Sequence, residues 1–402
     1  MPNISNMKIR KIIDSRGNAT VEVDAIIGSK AMGRAAAPSG ASKGAAEVKD
    51  YPNGNIDLGM QRFLEIKQKA LNKDIRSIGE FDEMLHEIDK TEDFSYLGGN
   101  VAIAASLAFA KALAKSEGKE LYQYLLNGNK VMMPHPLGNV IGGGKHAING
   151  TVMQEFLSVA FGNSYIESAF ANIAVHKKVG EMLKAKFPNS PLGLGDEKAW
   201  VAALKDEEAL EIVSNATNEI SKAKGFEIKP MVDLAASSFW DGSKYMYKDR
   251  SLSTSEQINF IASLAEKYPI KIIEDPMHED DFEGFAELTK KIGSKVLIVG
   301  DDLFVTNKKR LEKGIKMKAG NAVLIKPNQI GTLSDMIATV ELAKANSYEC
   351  VISHRSGETE DSTIAQLAVG LQIRYIKTGT IGGERTAKHN ELIRIEEELN
   401  GR

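Results

Sequence analysis

Between Ile270 and Gly379 the sequence repeats one pattern: KIIEDP (Lys271–Pro276), VLIVGDD (Val296–Asp302), AVLIKPNQ (Ala322–Gln329), ECVISHRSGETED (Glu349–Asp361) and IKTG (Ile376–Gly379). Each is a short apolar run that ends on charged or polar residues, and helical stretches separate them. Upstream, KPMVDLAAS (Lys229–Ser237) has the same form. The steps are roughly 25 to 40 residues, where a strand, a helix and a return need about 30. Apolar runs between helical stretches predict a parallel sheet buried on both faces. Six such units in series predict a closed (β/α) barrel, in which residues at the C-terminal ends of strands meet at one mouth. Those ends deliver Asp233, Glu274, Asp301, Lys326, His354, Arg355, Ser356 and Lys377. One acid at a strand end is ordinarily a helix cap; so many charged residues at consecutive ends point to a site.

The N-terminal part reads differently. MKIRKII, ATVEVDAIIGS and AMGRAAA alternate partly with period two and predict a β-meander over residues 7–37. SIGEFDEMLHEID and NVAIAASLAFAKALAKSEG predict helices, the second ending on Gly118. The order of strands first and helices after predicts an α+β unit. NGNKVMMPHPLGN (Asn127–Asn139) has the composition of a linker, which divides the chain into a capping domain, 1–130, and a barrel domain, 131–402. The class is α/β: a (β/α)8-type, TIM-like barrel behind an α+β cap.

The 402 residues exceed the usual single core. A net charge of −3 gives no electrostatic case for nucleic acid. No apolar run approaches the ~20 residues that span a bilayer, and MPNISNMKIRKIIDSRG lacks a signal-peptide core. The single cysteine, Cys350, lies in an apolar run and reads as a small buried hydrophobe, which fits a reducing cytoplasm.

Two Gly-rich loops stand outside the repeat. AAAPSGASKG (Ala35–Gly44) reads by composition as a surface loop. GNVIGGGKHAING (Gly138–Gly150) lacks the spacing of a phosphate loop, and its His146, taken alone, reads as a solvated side chain. VMQEFLSVA (Val152–Ala160) is a strand candidate whose Gln154 and Glu155 need partners or a site to justify burial. LGLGDEKAW (Leu192–Trp200) puts Asp196 and Glu197 on a turn, with helix N-capping by Asp196 as the ordinary alternative.

Asp233, Glu274 and Asp301 offer three hard oxygen ligands, a donor set that suits Mg²⁺. Lys326, beside other cations, is expected to have a lowered pKa and to serve as a general base. Arg355 with Ser356 forms an anion clamp, and Lys377 adds positive charge. Together these predict proton abstraction next to a carboxylate, through a dianionic enediolate. Glu197 and Glu155 are the candidates for the acid that assists a leaving group.

These residues closely resemble the enolases, the phosphopyruvate hydratases of glycolysis, through nearly the whole chain. The matching motifs include IDSRGN (Ile13–Asn18), APSGAS (Ala37–Ser42), MQEF (Met153–Phe156), GDE (Gly195–Glu197), IEDP, VGDDLFVTN (Val299–Asn307), NQIG (Asn328–Gly331), SHRSGETED (Ser353–Asp361), IKTG and RIEEEL. The texture is closest to the archaeal branch. The resemblance implies reversible dehydration of 2-phospho-D-glycerate to phosphoenolpyruvate. It implies that Asp233, Glu274 and Asp301 hold one Mg²⁺ and that Ser39 ligates a second, recruited with substrate. It implies that Lys326 is the base and Glu197 the acid with Glu155 beside it. Lys377 neutralises the substrate carboxylate, Arg355 and Ser356 grip its phosphate, and Gln154, His146 and His354 line it, His146 on a closing loop. It also implies a homodimer or octamer. Other readings are a related superfamily enzyme acting on a different carboxylate, and a binding scaffold without catalysis.

The chain departs from the family pattern in places. GDEKAW stands where GDEGGF is usual, so Lys198 and Ala199 cost backbone freedom beside Glu197. Pro327 biases Lys326 toward extended backbone. HAIN replaces HAGN, Lys43 stands where Thr is usual, and the chain between Lys49 and Arg62 is shorter. These changes bear on turnover and loop closure more than on reaction type.

Overall fold

The computed structural model describes residues 3–41, 43–126, 128 and 130–401; Ser42, at the end of APSGAS, lies outside them. The predicted meander is present as β1 (Ile4–Ile13), β2 (Ala19–Ile27) and β3 (Ala31–Ala36), an antiparallel sheet of order β1-β2-β3. Helices α1 (Ile56–Leu71), α2 (Ile78–Ile88) and α3 (Gly99–Ser116) follow. Local sequence sets their starts: the Asn55 side chain accepts from the Asp57 and Leu58 amides, and Ser77 from that of Glu80. Gly118, in left-handed backbone at φ +71°, lies just past the end of α3. Helix α3 is buried along nearly its whole length, against the sheet on one side and the other helices on the other.

Eight strands then close into a barrel, the last, Tyr375–Lys377, pairing with the first, His135–Gly142. The barrel interior is filled by Leu137, Leu157, Met231, Ile272, Val299, Leu324, Val351 and Tyr375. The six strands of the sequence repeat run parallel. Two features differ from the sequence expectation.

His135–Gly142, read partly as linker and partly as loop, is the first barrel strand. Its proline and glycines conceal it. Gly138 is required there because a Cβ would meet Thr380 Oγ1 at 2.5 Å. Glu155–Ala160, the second strand, is antiparallel to both neighbours, so the barrel is not uniformly parallel. The cause is its connection: residues 143–154 return directly as a hairpin, with no crossover helix. Reversal brings the N-terminal end of this strand to the mouth, where Glu155 pairs with Asp233.

The N-terminal unit is stitched to that mouth. Ser15 N donates to Glu358 O at 2.7 Å, Ser39 and Gly357 exchange two backbone bonds, and Val48 N donates to Gln329 O at 3.1 Å. On the outer side, Asp82 of α2 accepts from the Ser334 amide at 2.8 Å. The predicted last helix, Gly383–Leu399, is present, but its inner face is not simply apolar: it buries Arg385, Lys388 and His389 beside Leu392 and Ile395.

Candidate active site

The strand ends converge on one cavity. All the predicted catalytic, substrate-binding and metal-ligating residues line it except Ser39 and Glu274. Glu274 lies behind Lys377, and Gly40 rather than Ser39 faces the cavity. The Ser39 hydroxyl donates instead to Asp14 Oδ2 at 2.6 Å.

Lys377 is the centre of the charge arrangement. Its ammonium lies 3.1 Å from Glu155, 3.0 Å from Asp233 and 2.9 Å from Glu274, all nearly wholly buried. Glu155 reaches it only because its strand is reversed. Burial and the Asp233 carboxylate push Glu274 well above the usual carboxylate range, against the opposing pull of Lys377. Three carboxylates thus share the one ammonium of Lys377. Among the described residues, potential ligand atoms lie within 4.8 Å of one another in two sets, His146–Glu155–Glu197 and Asp275–Asp301–Asp302. The three predicted ligands are not such a set: lysine ammoniums hold Asp233 and Glu274 on one side and Asp301 on the other.

Lys326 follows its strand in extended backbone, φ −126°, as Pro327 demands. Its ammonium pairs with Asp301. The expected lowering of its pKa is not what the packing produces. Burial, Arg355 and Lys377 act to lower it, but the Asp301 carboxylate prevails and holds it above the ordinary lysine value. Asp301 is itself fixed: Gln329 Nε2 donates to it at 2.9 Å, and Asp275 accepts from the Asp301 and Asp302 amides, each at 2.8 Å.

Glu197 adopts left-handed backbone at φ +60°, and Lys198 follows at φ +58°. The strain expected of the GDEKAW departure thus falls on Lys198; Ala199 is ordinary extended backbone, φ −75°. Asp196 caps no helix and lies 3.4 Å from Arg16. Glu197 is buried, accepts from Asn139 Nδ2 at 3.1 Å and faces His354 Nε2 at 3.2 Å. Burial works to raise its pKa, but His354, His146 and Arg385 outweigh burial and keep it a carboxylate. His354 is pushed down to about 4, chiefly by burial.

His146 is not the solvated side chain its loop suggested. It is 8% exposed, with Nδ1 3.1 Å from Glu155 Oε1. Burial lowers its pKa, but Glu155 and Glu197 prevail and the net shift is upward. Gln154 Nε2 reaches Asp233 at 3.4 Å. Gln154 Oε1 is buried without a hydrogen-bond partner among the described residues, so the cavity wall presents an unmet acceptor to a ligand.

Arg355 is held by Glu47, at 2.9 and 3.0 Å, and by Asn328 Oδ1 at 2.9 Å. Ser356 Oγ accepts from the Ala41 amide at 2.6 Å, so the loop after β3 closes directly on Ser356. Sequence reading missed Glu47, Asn139, Arg385 and Asp275. Asn139 was hidden in an apparent linker, and Asp275 stood in IEDP beside a stronger candidate.

Two family models match the chain: "Enolase, N-terminal domain" over residues 4–125 and "Enolase, C-terminal TIM barrel domain" over residues 130–402. An enolase of Picrophilus torridus is 51% identical over 398 residues, covering 98% of this chain and 99% of that protein. An enolase of Methanothermobacter thermautotrophicus is 49% identical, covering 98% and 97%. An enolase of Thermoplasma acidophilum is 47% identical, covering 98% of both.

Proposed function

We propose, from the premise that this chain belongs to the enolase family, an assignment of its residues to the reaction. The chain is a phosphopyruvate hydratase, a lyase of glycolysis that interconverts 2-phospho-D-glycerate with phosphoenolpyruvate and water. In our assignment Lys326 removes the C2 proton, Glu197 protonates the departing hydroxyl, and Lys377 faces the substrate carboxylate. Arg355 and Ser356 hold the phosphate, while His146, Gln154, Glu155 and His354 enclose the substrate. The observation that carries this reading is one cavity lined by both Lys326, paired with Asp301, and Glu197, beside His354.

Asp233, Glu274 and Asp301 would hold Mg²⁺, and the Ser39 loop a second; when bound, such ions would supply Lewis-acid stabilisation of developing negative charge. The protein's own groups must change state around that step. Lys326 is an ammonium while Asp301 faces it, so drawing charge away from Asp301 frees it to act as base. Glu197 is a carboxylate beside His354, His146 and Arg385, and the substrate's negative charge raises its proton affinity toward that of an acid.

We further propose a homodimer or octamer, a cytoplasmic location, and a domain division at residue 130. The three-stranded sheet β1-β2-β3, separate from the barrel sheet, supports the division. Among the described residues no helix is long and apolar enough to cross a membrane.

The test is an ultraviolet assay with 2-phosphoglycerate, with and without Mg²⁺, on the protein and on Glu197→Gln. Mg²⁺-dependent enol formation that the substitution abolishes supports the assignment. Near-full turnover by Glu197→Gln would overturn it.

A further inference from the structure

We propose that Arg385 is a positioning residue for the reaction: it fixes the tautomer and orientation of His354, so that the imidazole presents an Nε2–H toward Glu197 and the cavity. The inference rests on the reading above that Glu197 protonates the departing hydroxyl and that His354 encloses the substrate beside it.

Arg385 stands in the first turn of the helix Gly383–Leu399 and has no exposed surface. A guanidinium cannot shed its charge, so its burial is tolerable only where its N–H groups find acceptors. Nη1 donates to His354 Nδ1 at 2.8 Å and to Arg355 O at 2.7 Å, and Nη2 donates to Ser356 O at 2.8 Å. Nε lies 3.4 Å from Glu384 Oε1. One side chain thus holds three consecutive residues just past the strand Glu349–Ser353.

The bond to His354 carries the argument. Arginine is a donor only, so Nδ1 must be the bare nitrogen. A neutral imidazole has one N–H, which is then on Nε2, 3.2 Å from Glu197 Oε1. Nε2 has no in-line acceptor among the described residues, which leaves that N–H available at the cavity. The charged groups facing His354 are Glu197, Arg385 and Glu358. Both carboxylates favour the imidazolium and Arg385 opposes it, so the guanidinium also keeps the ring neutral. A tie that only anchored the helix would need the two carbonyls and no bond to the imidazole.

The experiment is nuclear magnetic resonance of the full chain labelled with ¹⁵N-histidine, His354 being assigned by His354→Gln. The wild type should show a neutral Nε2–H imidazole at pH 7. In Arg385→Met the His354 signals should move to an Nδ1–H or mixed tautomer. The ring should also protonate at higher pH, since the opposing positive charge is gone. Turnover should fall about 10–100-fold, the usual cost of losing a partner that orients a functional side chain. Arg385→Lys, which keeps the charge and a donor, should recover the Nε2–H signal and part of the rate. An Nδ1–H or imidazolium His354 in the wild type overturns the proposal, and this holds even if Arg385→Met fails to fold. Unchanged His354 signals in a folded Arg385→Met also overturn it. Undiminished turnover by His354→Gln would instead strike at the site assignment and leave the tautomer result standing.

Discussion

Replacing Glu47 by Gln removes a charge while keeping the shape, and its effects on stability and on ligand binding should have opposite signs. Glu47 holds Arg355 through Oε2 at 2.9 Å and Oε1 at 3.0 Å, and the two side chains are 4% and 2% exposed. Unit charges ~3 Å apart attract by roughly 5–6 kcal/mol at an effective dielectric of about 20. Burial offsets much of that attraction, yet removing one member of a buried pair still costs about 3–5 kcal/mol. Gln retains an acceptor, and Asn328 Oδ1 still receives an Arg355 N–H at 2.9 Å. The expected loss is therefore at the lower end, ~2–4 kcal/mol. Arg355, relieved of one anion, should meanwhile bind a phosphate dianion more tightly. The assay is chemical unfolding of wild type and Glu47→Gln with and without inorganic phosphate. A tenfold gain in affinity adds about 1.4 kcal/mol to the phosphate-induced stabilisation at saturating ligand. If Glu47→Gln unfolds within ~0.5 kcal/mol of wild type, or phosphate stabilises it no more than wild type, the reading of Glu47 as the counter-ion of the anion clamp is wrong.

Three further perturbations test other parts of the structure. Lys326→Ala should lower turnover by at least ~10²–10⁴-fold and abolish exchange of the substrate C2 proton with deuterated solvent; retention of exchange would assign the base elsewhere. Asp82 is buried, Oδ1 has no partner among the described residues, and burial raises its pKa to about 6. A raised folded pKa gives stability that is complete below the unfolded value and lost as pH rises through 6, up to roughly 3 kcal/mol between pH 4 and 7. Asp82→Asn should remove that part of the pH dependence, so urea unfolding of the two proteins should diverge across the window; parallel curves would refute the burial argument. Gly33→Ala places a Cβ 2.0 Å from Ala108 O and 2.4 Å from Ala112 N, where β3 meets α3. Helix and sheet must separate, so a thermal melt should show a loss of at least ~1–3 kcal/mol, and an unchanged melt would contradict the packing.

What could be read in the sequence, and what could not, divides along one physical line. Strands buried on both faces are written as unbroken apolar runs, so six of the eight barrel strands and the residues at their ends were legible from KPMVD to IKTG. The first strand was not, because HPLGNVIG spends its positions on close approach, Gly138 against Thr380, and close approach looks like loop composition. The reversal of Glu155–Ala160 was equally hidden, since a period-two or apolar pattern has no direction. Residue types at strand ends showed which chemistry was available. They did not show which charges would be nearest. Lys326 was expected to have a lowered pKa from the cations around it. The nearest group is instead Asp301, and the shift is upward. Glu47 and Arg385 were invisible for the same reason: they act on Arg355 and His354 across sequence separations of 308 and 31 residues, and neither stands in a strand-end run. A buried cluster with three carboxylates on Lys377 has no fixed local code, because each member's state depends on all the others. The composition of such a site is therefore legible one residue at a time, while its proton inventory belongs to the assembled fold.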